Sequence, residues 1–110
     1  MSELVSIESL QQLKEIMEDE FTLLVEMFVN DSSRLVQEIE TYYTSKDTEN
    51  LRVAAHTLKG TSSNMAALGF SDICKKVEDG ARDADMDVLD KEIQNLKEAY
   101  SEVIETIQSF

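Results

Sequence analysis

Apolar residues recur along this chain at three- and four-residue steps, and the breaks between the runs divide it into helical segments. Ile7, Leu10, Leu13 and Met17 form a short first stripe behind Ser6, whose hydroxyl suits an N-cap, and predict a small lid-like helix. Met17-Glu18-Asp19-Glu20 interrupts the pattern, with Asp19 or Glu20 placed to meet the positive end of a helix starting at Phe21. From Phe21, the positions Leu24, Val25, Phe28, Leu35, Val36, Ile39 and Tyr42 or Tyr43 predict one long helix through about Ser45. It continues across the polar Asn30-Asp31-Ser32-Ser33, where no Gly or Pro breaks it.

Ser45-Lys46-Asp47-Thr48 reads as a turn, with Asp47 or Thr48 as the cap of a third helix from about Thr48 to Ala67. Gly69 suits the left-handed position that ends it. Phe70 or Ser71 opens a fourth helix with a buried stripe of Phe70, Ile73, Cys74, Val77, Ala81 and Ala84, flanked by Lys75, Glu78 and Arg82. After the acidic link Asp83-Ala84-Asp85-Met86-Asp87, the residues Leu89, Ile93, Leu96, Tyr100, Val103, Ile107 and Phe110 make a heptad-like seam. An intermolecular coiled coil would show the same seam, but the other long helices each carry a stripe able to cover it. The prediction is an all-α, antiparallel four-helix bundle with a short extra N-terminal helix, a single domain over 1–110.

Composition agrees with helices: there is no Pro, no Trp and only three Gly. The formal charge of −13 argues against nucleic acid or an anionic membrane as partner, since both require a basic surface. The single cysteine, Cys74, has no internal partner for a disulfide and reads as a small buried hydrophobe. The opening residues carry no basic region followed by an apolar core, and no apolar run reaches the length of a membrane span. These features predict a cytoplasmic protein.

The chemistry concentrates around the only histidine, His56. Leu51, Ala55, Leu58, Ser62 and Met65 mark the buried face of the third helix. At about 100° per residue, His56 stands about 140° from its centre, facing water. Arg52, Lys59, Gly60 and Ser63 share its surface. Glycine inside a helix costs about 1 kcal/mol relative to alanine. Gly60, one turn beyond His56, is therefore best explained by clearance for a molecule that approaches the ring. An imidazole is nucleophilic near neutrality, and a lysine one turn away supplies a mobile cation for a phosphate. Together these residues describe a phosphoryl acceptor, although a lone surface histidine on a helix more often has no special role.

The unbroken His56-Thr57-Leu58-Lys59-Gly60-Thr61-Ser62-Ser63 resembles the His-x-Leu-Lys-Gly-Ser/Thr-Ser motif of histidine-containing phosphotransfer (HPt) domains. The helical pattern extends that resemblance over essentially the whole chain. One departure is Ala66-Ala67, where the family often has Gly-Ala, which bears on packing at the end of that helix. The resemblance implies His56 as phosphoacceptor, Lys59 as the cation that stabilises the phosphoryl group, Gly60 as clearance, and Glu78 as the residue on the next helix that orients the imidazole. Thr57 and Ser63 would border the site.

It also implies the partners: receiver domains of response regulators and a hybrid sensor histidine kinase. The chain would act as a monomeric relay between receiver aspartates, holding no cofactor of its own, with Mg²⁺ on the receiver side. No Gly-rich nucleotide loop and no acidic cluster set up for Mg²⁺ is visible, so the expectation is a phosphocarrier rather than an enzyme. The competing reading is a helical adaptor that binds a signalling protein without being phosphorylated. Such an adaptor has no reason to leave the Gly60 turn bare.

Overall fold

The computed structural model describes residues 3–110; Met1 and Ser2, part of the span 1–110 expected above, lie outside them. The helices are α1 (Ile7–Met17), α2 (Phe21–Thr44), α3 (Thr48–Asn64), α4 (Leu68–Arg82) and α5 (Met86–Gln108), with a 3-10 turn over Glu18–Glu20. There is no strand among the described residues. The four long helices run up and down, each packed on its neighbour in sequence, and α5 closes the bundle against α2. None is long and apolar enough to cross a membrane.

The stripes that predicted the helices are the core. Phe28, Leu35 and Ile39 of α2 meet Leu51, Ala55 and Leu58 of α3. Phe70, Cys74 and Val77 of α4 and Leu89, Leu96, Val103 and Ile107 of α5 complete the cluster. Burial pushes the Cys74 thiol up to about 12, which leaves it an inert core side chain. The polar break in α2 is explained by Ser32, which is fully buried and shares a 2.8 Å hydrogen bond with the Tyr100 hydroxyl on α5. Ser62 Oγ is the one fully buried side-chain polar atom without a partner among the described residues.

Helix ends follow the sequence in part. Ser6, Asp47 and Asp85 accept hydrogen bonds from the backbone N–H groups of Ser9, Asn50 and Val88, capping α1, α3 and α5. Asp19 and Glu20, expected to serve the start of α2, sit in the 3-10 turn, and no side chain caps that helix.

The larger correction concerns α3, which ends at Asn64 rather than Ala67, and Gly69, which lies inside the first turn of α4. The left-handed residue is Ala66, at φ 62°. Ala66 N–H donates to the Ser63 carbonyl and Ala67 N–H to the Ser62 carbonyl, the paired bonds of a Schellman motif. The same arrangement recurs at Lys46 (φ 60°) and Ala84 (φ 51°), so all three turns of the four-helix bundle place a non-glycine residue in the left-handed region. In each, the following residue, Asp47, Ala67 or Asp85, is already the N-cap of the next helix. Ala84 therefore leaves the α4 stripe it was expected to join and is exposed.

Gly69 is needed for a different reason. A Cβ there would collide with the Glu3 carbonyl oxygen. The segment before α1 lies across this turn: Ser6 N–H donates to the Ala66 carbonyl, Phe70 N–H donates to the Leu4 carbonyl, and Val5 is buried. The start of α4, which lacks a side-chain cap, thus draws a backbone partner from the N-terminal segment. α1 then packs against α2 and the 3-10 turn.

Candidate functional site

His56 stands on the outer face of α3 with 62% of its side chain exposed, as the helix geometry requires. Across the α3–α4 seam, Glu78 is largely sheltered, with 16% of its side chain exposed. His56 Nδ1 lies 2.9 Å from Glu78 Oε2, and Lys59 Nζ donates to Glu78 Oε1 at 2.9 Å. One carboxylate therefore holds both groups of the motif.

Burial pushes the Glu78 carboxyl up, but hydrogen bonds from Lys59 and His56, and their charge, outweigh it and hold its pKa below the ordinary value. An ionised carboxylate only accepts hydrogen bonds, so Nδ1 carries the ring proton in this pair. Nε2 is then left with its lone pair, on an exposed ring. Gly60 extends the opening: among the described residues, nothing beyond its own helix turn lies within 4 Å of where its side chain would begin. The four residues singled out in the sequence, His56, Lys59, Gly60 and Glu78, are thus assembled in one place.

The remaining candidates divide. The Thr57 hydroxyl is turned back onto the Val53 carbonyl at 3.0 Å, and Arg52 pairs with Glu49 at 2.6 Å, so neither side chain joins the cluster. Ser63 bonds to Ser71 of α4 at 2.8 Å, and Ser71 Oγ donates to the Lys59 carbonyl at 3.0 Å. Ser71 was read from the sequence only as a helix start. Its spacing from Glu78, seven residues or two turns, was the available signal that it faces α3.

Beside the site the surface becomes apolar. Val53, one turn before His56, and Met27 on α2 are each about half exposed. Two open grooves of about 180 Å³ run along the α2–α3 seam, one reaching Val53 and Thr57, the other Met27 and Thr61. Among the described residues, no group of three or more His, Cys, Asp or Glu side chains is arranged to hold a metal ion.

A helical bundle presenting one buttressed imidazole with a lysine and a bare glycine turn is the form of a histidine-containing phosphotransfer domain. The sequence model of the Hpt domain matches residues 23–106, and the chain belongs to that family. The chain is also similar to a solved structure, histidine-containing phosphotransfer protein B (HptB) from Pseudomonas aeruginosa PAO1. The two share 28% identity over 99% of this chain and 95% of that one, with a TM-score of 0.91. No curated protein matches the chain significantly. Family and neighbour together support a histidine phosphotransfer role in a phosphorelay.

Proposed function

We propose that this protein is a phosphocarrier that takes a phosphoryl group from the aspartate of one receiver domain onto His56 and passes it to the aspartate of another. The observation that carries this reading is the bond from His56 Nδ1 to Glu78, which leaves Nε2 free on an exposed ring beside the open Gly60 turn. In the transfer step, the Nε2 lone pair forms a bond to phosphorus as the bond from phosphorus to the aspartyl oxygen breaks. The aspartate leaves as a carboxylate. No proton has to leave Nε2, and the positive charge gained by the ring is stabilised through Nδ1–H by the Glu78 carboxylate.

Lys59 is close enough to turn from Glu78 toward the incoming phosphoryl oxygens, meeting the charge spread over them. The in-line geometry and the Mg²⁺ belong to the receiver partner; the carrier brings the nucleophile, a cation and space. A hybrid sensor histidine kinase supplies the phosphoryl group upstream, and a response regulator accepts it downstream. The receivers dock on the α2–α3 face, where Met27 and Val53 offer apolar contact around the histidine. The carrier acts as a monomer in the cytoplasm and catalyses no reaction on its own.

The test is to incubate the protein with a phosphorylated receiver domain and Mg²⁺ and to look for acid-labile, base-stable phosphate on the chain and on a His56→Gln variant. Label on the wild type and none on the variant is expected. An unlabelled wild type across a panel of receivers and kinases would overturn the phosphocarrier reading in favour of the adaptor.

A further inference from the structure

Seven residues beyond His56 on α3 stands Ser63, and seven residues before Glu78 on α4 stands Ser71. In an antiparallel hairpin these are register mates. The Ser63–Ser71 contact repeats the His56–Glu78 contact two turns, about 10 Å, further along the same seam. The direction of its bonds follows from the inventory of hydrogens. Ser71 has one hydroxyl proton and gives it to the Lys59 carbonyl, so in the Ser63–Ser71 bond Ser63 must donate and Ser71 accept. The result is a directed chain from the Ser63 hydroxyl to the Ser71 hydroxyl to the backbone of Lys59, the residue whose ammonium binds Glu78.

Ser71 is buried, whereas Ser63 is exposed, so this chain runs from the surface into the seam. Beneath this contact and the Glu78 bonds, α3 and α4 meet through apolar side chains such as Leu58, Phe70 and Cys74, whose burial resists separation but is non-directional. A hydroxyl bonded to a main-chain carbonyl is directional and sets rotation and sliding.

We propose that the Ser63–Ser71 hydroxyl pair is a positioning device, locking the α3–α4 register so that one Glu78 carboxylate reaches His56 Nδ1 and Lys59 Nζ together. The proposal rests on the reading of His56 as phosphoacceptor. Ser71 touches neither the ring nor the phosphoryl group. It acts through the Lys59 turn, and its loss changes how the imidazole is held rather than whether it is present. Because Ser71 makes two bonds of the chain and Ser63 one, removing the Ser71 hydroxyl has the larger effect.

His56 is the only histidine, so NMR of the imidazole nitrogens reports its tautomer without overlap. Ser71→Thr and Ser71→Val have nearly the same shape, one with the hydroxyl and one without it. The wild type and Ser71→Thr are expected to show Nδ1 protonated and Nε2 bare. Ser71→Val should show mixed tautomers and a roughly five- to tenfold slower phosphorylation by a receiver, as expected for a mispositioned reacting group. Ser63→Ala, at an exposed position that tolerates it, should show the same change at smaller size.

A folded Ser71→Val protein with wild-type tautomer and rate would overturn the proposal. So would Ser71→Thr behaving like Ser71→Val, since packing and not the hydroxyl would then be responsible. If Ser71→Val does not fold, a wild-type tautomer in Ser63→Ala overturns it equally. The tautomer is read on the protein alone: a wild type that accepts no phosphate defeats the phosphocarrier reading, while normal transfer with unmoved tautomers in the variants defeats only the positioning role.

Discussion

Of the polar contacts that bridge helices of this bundle, the Ser32–Tyr100 pair between α2 and α5 and the His56–Glu78 pair between α3 and α4 differ in what they leave free. Ser32 and Tyr100 meet with the serine fully buried and the phenol half-buried, its ring tilted against Phe70 at a centroid distance of 5.9 Å. The Tyr100 hydroxyl donates to Ser32, whose own hydroxyl donates to the Val29 carbonyl one turn back at 3.4 Å, so the contact closes inside the seam. His56 and Glu78 are bonded just as closely, but the pair lies at the surface, and the second imidazole nitrogen has no partner among the described residues. The Gly60 turn beside it is open. A closed polar pair contributes stability and specificity of packing; a pair with one reactive atom left over contributes chemistry.

The largest effect that would separate the two is expected from Glu78→Ala. Phosphorylation of His56 should slow by about ten- to hundredfold, as for loss of a group that orients a functional imidazole. Stability should change by less than about 1 kcal/mol, because the ion pairs lost are partly open to solvent. Rates of transfer from a phosphorylated receiver, set beside a urea titration, check both. The substitution should also flatten the acid limb of stability. The folded pKa of Glu78 lies below the ordinary 4.5. Its contribution is therefore complete above about pH 4.5 and is lost as the pH falls through the depressed value. A Glu78→Ala protein with unaltered transfer would make the two polar pairs equivalent after all.

Tyr100→Phe probes the closed pair. Unfolding free energy should fall by about 1 kcal/mol, the net worth of one hydrogen bond, with phosphotransfer left at the wild-type rate. Gly60→Ala should move the two quantities in opposite directions. The helix gains up to about 1 kcal/mol, since the new methyl clashes with nothing among the described residues, while transfer slows because the clearance beside the ring shrinks. Transfer at full speed in that variant would show that Gly60 is not kept for access. The smallest change is expected at Ala66→Gly, in the turn between α3 and α4. Relief of the left-handed backbone is offset by the extra freedom of glycine in the unfolded chain and by the loss of a buried methyl, so stability should stay within about 0.5 kcal/mol of wild type, read from the denaturation midpoint.

The departures from expectation cluster at turns. Gly69 attracted the left-handed assignment because glycine takes that conformation at least cost, yet the chain spends the cost at Lys46, Ala66 and Ala84. It keeps Gly69 for the close passage of Glu3 and Leu4. Nothing local announces that passage, because it depends on where a segment more than sixty residues earlier comes to lie. Ser32 is a similar case: its polar neighbours gave no sign of a partner, since Tyr100 is sixty-eight residues away.

What the sequence determined by itself is whatever repeats with the period of the helix. The stripes of α2, α4 and α5 placed the core, and Leu51, Ala55, Leu58, Ser62 and Met65 turned His56 outward, because burying one face of a helix exposes the opposite one. The motif around His56 placed Lys59 and Gly60 on the same turn. Tertiary structure alone decided the register of α3 on α4. That register brings Glu78 under both His56 and Lys59 and sets Ser71 against Ser63 and the Lys59 carbonyl. A helical period specifies which way a side chain points, whereas sliding or rotation between two helices is chosen by the packing and hydrogen bonds of the pair.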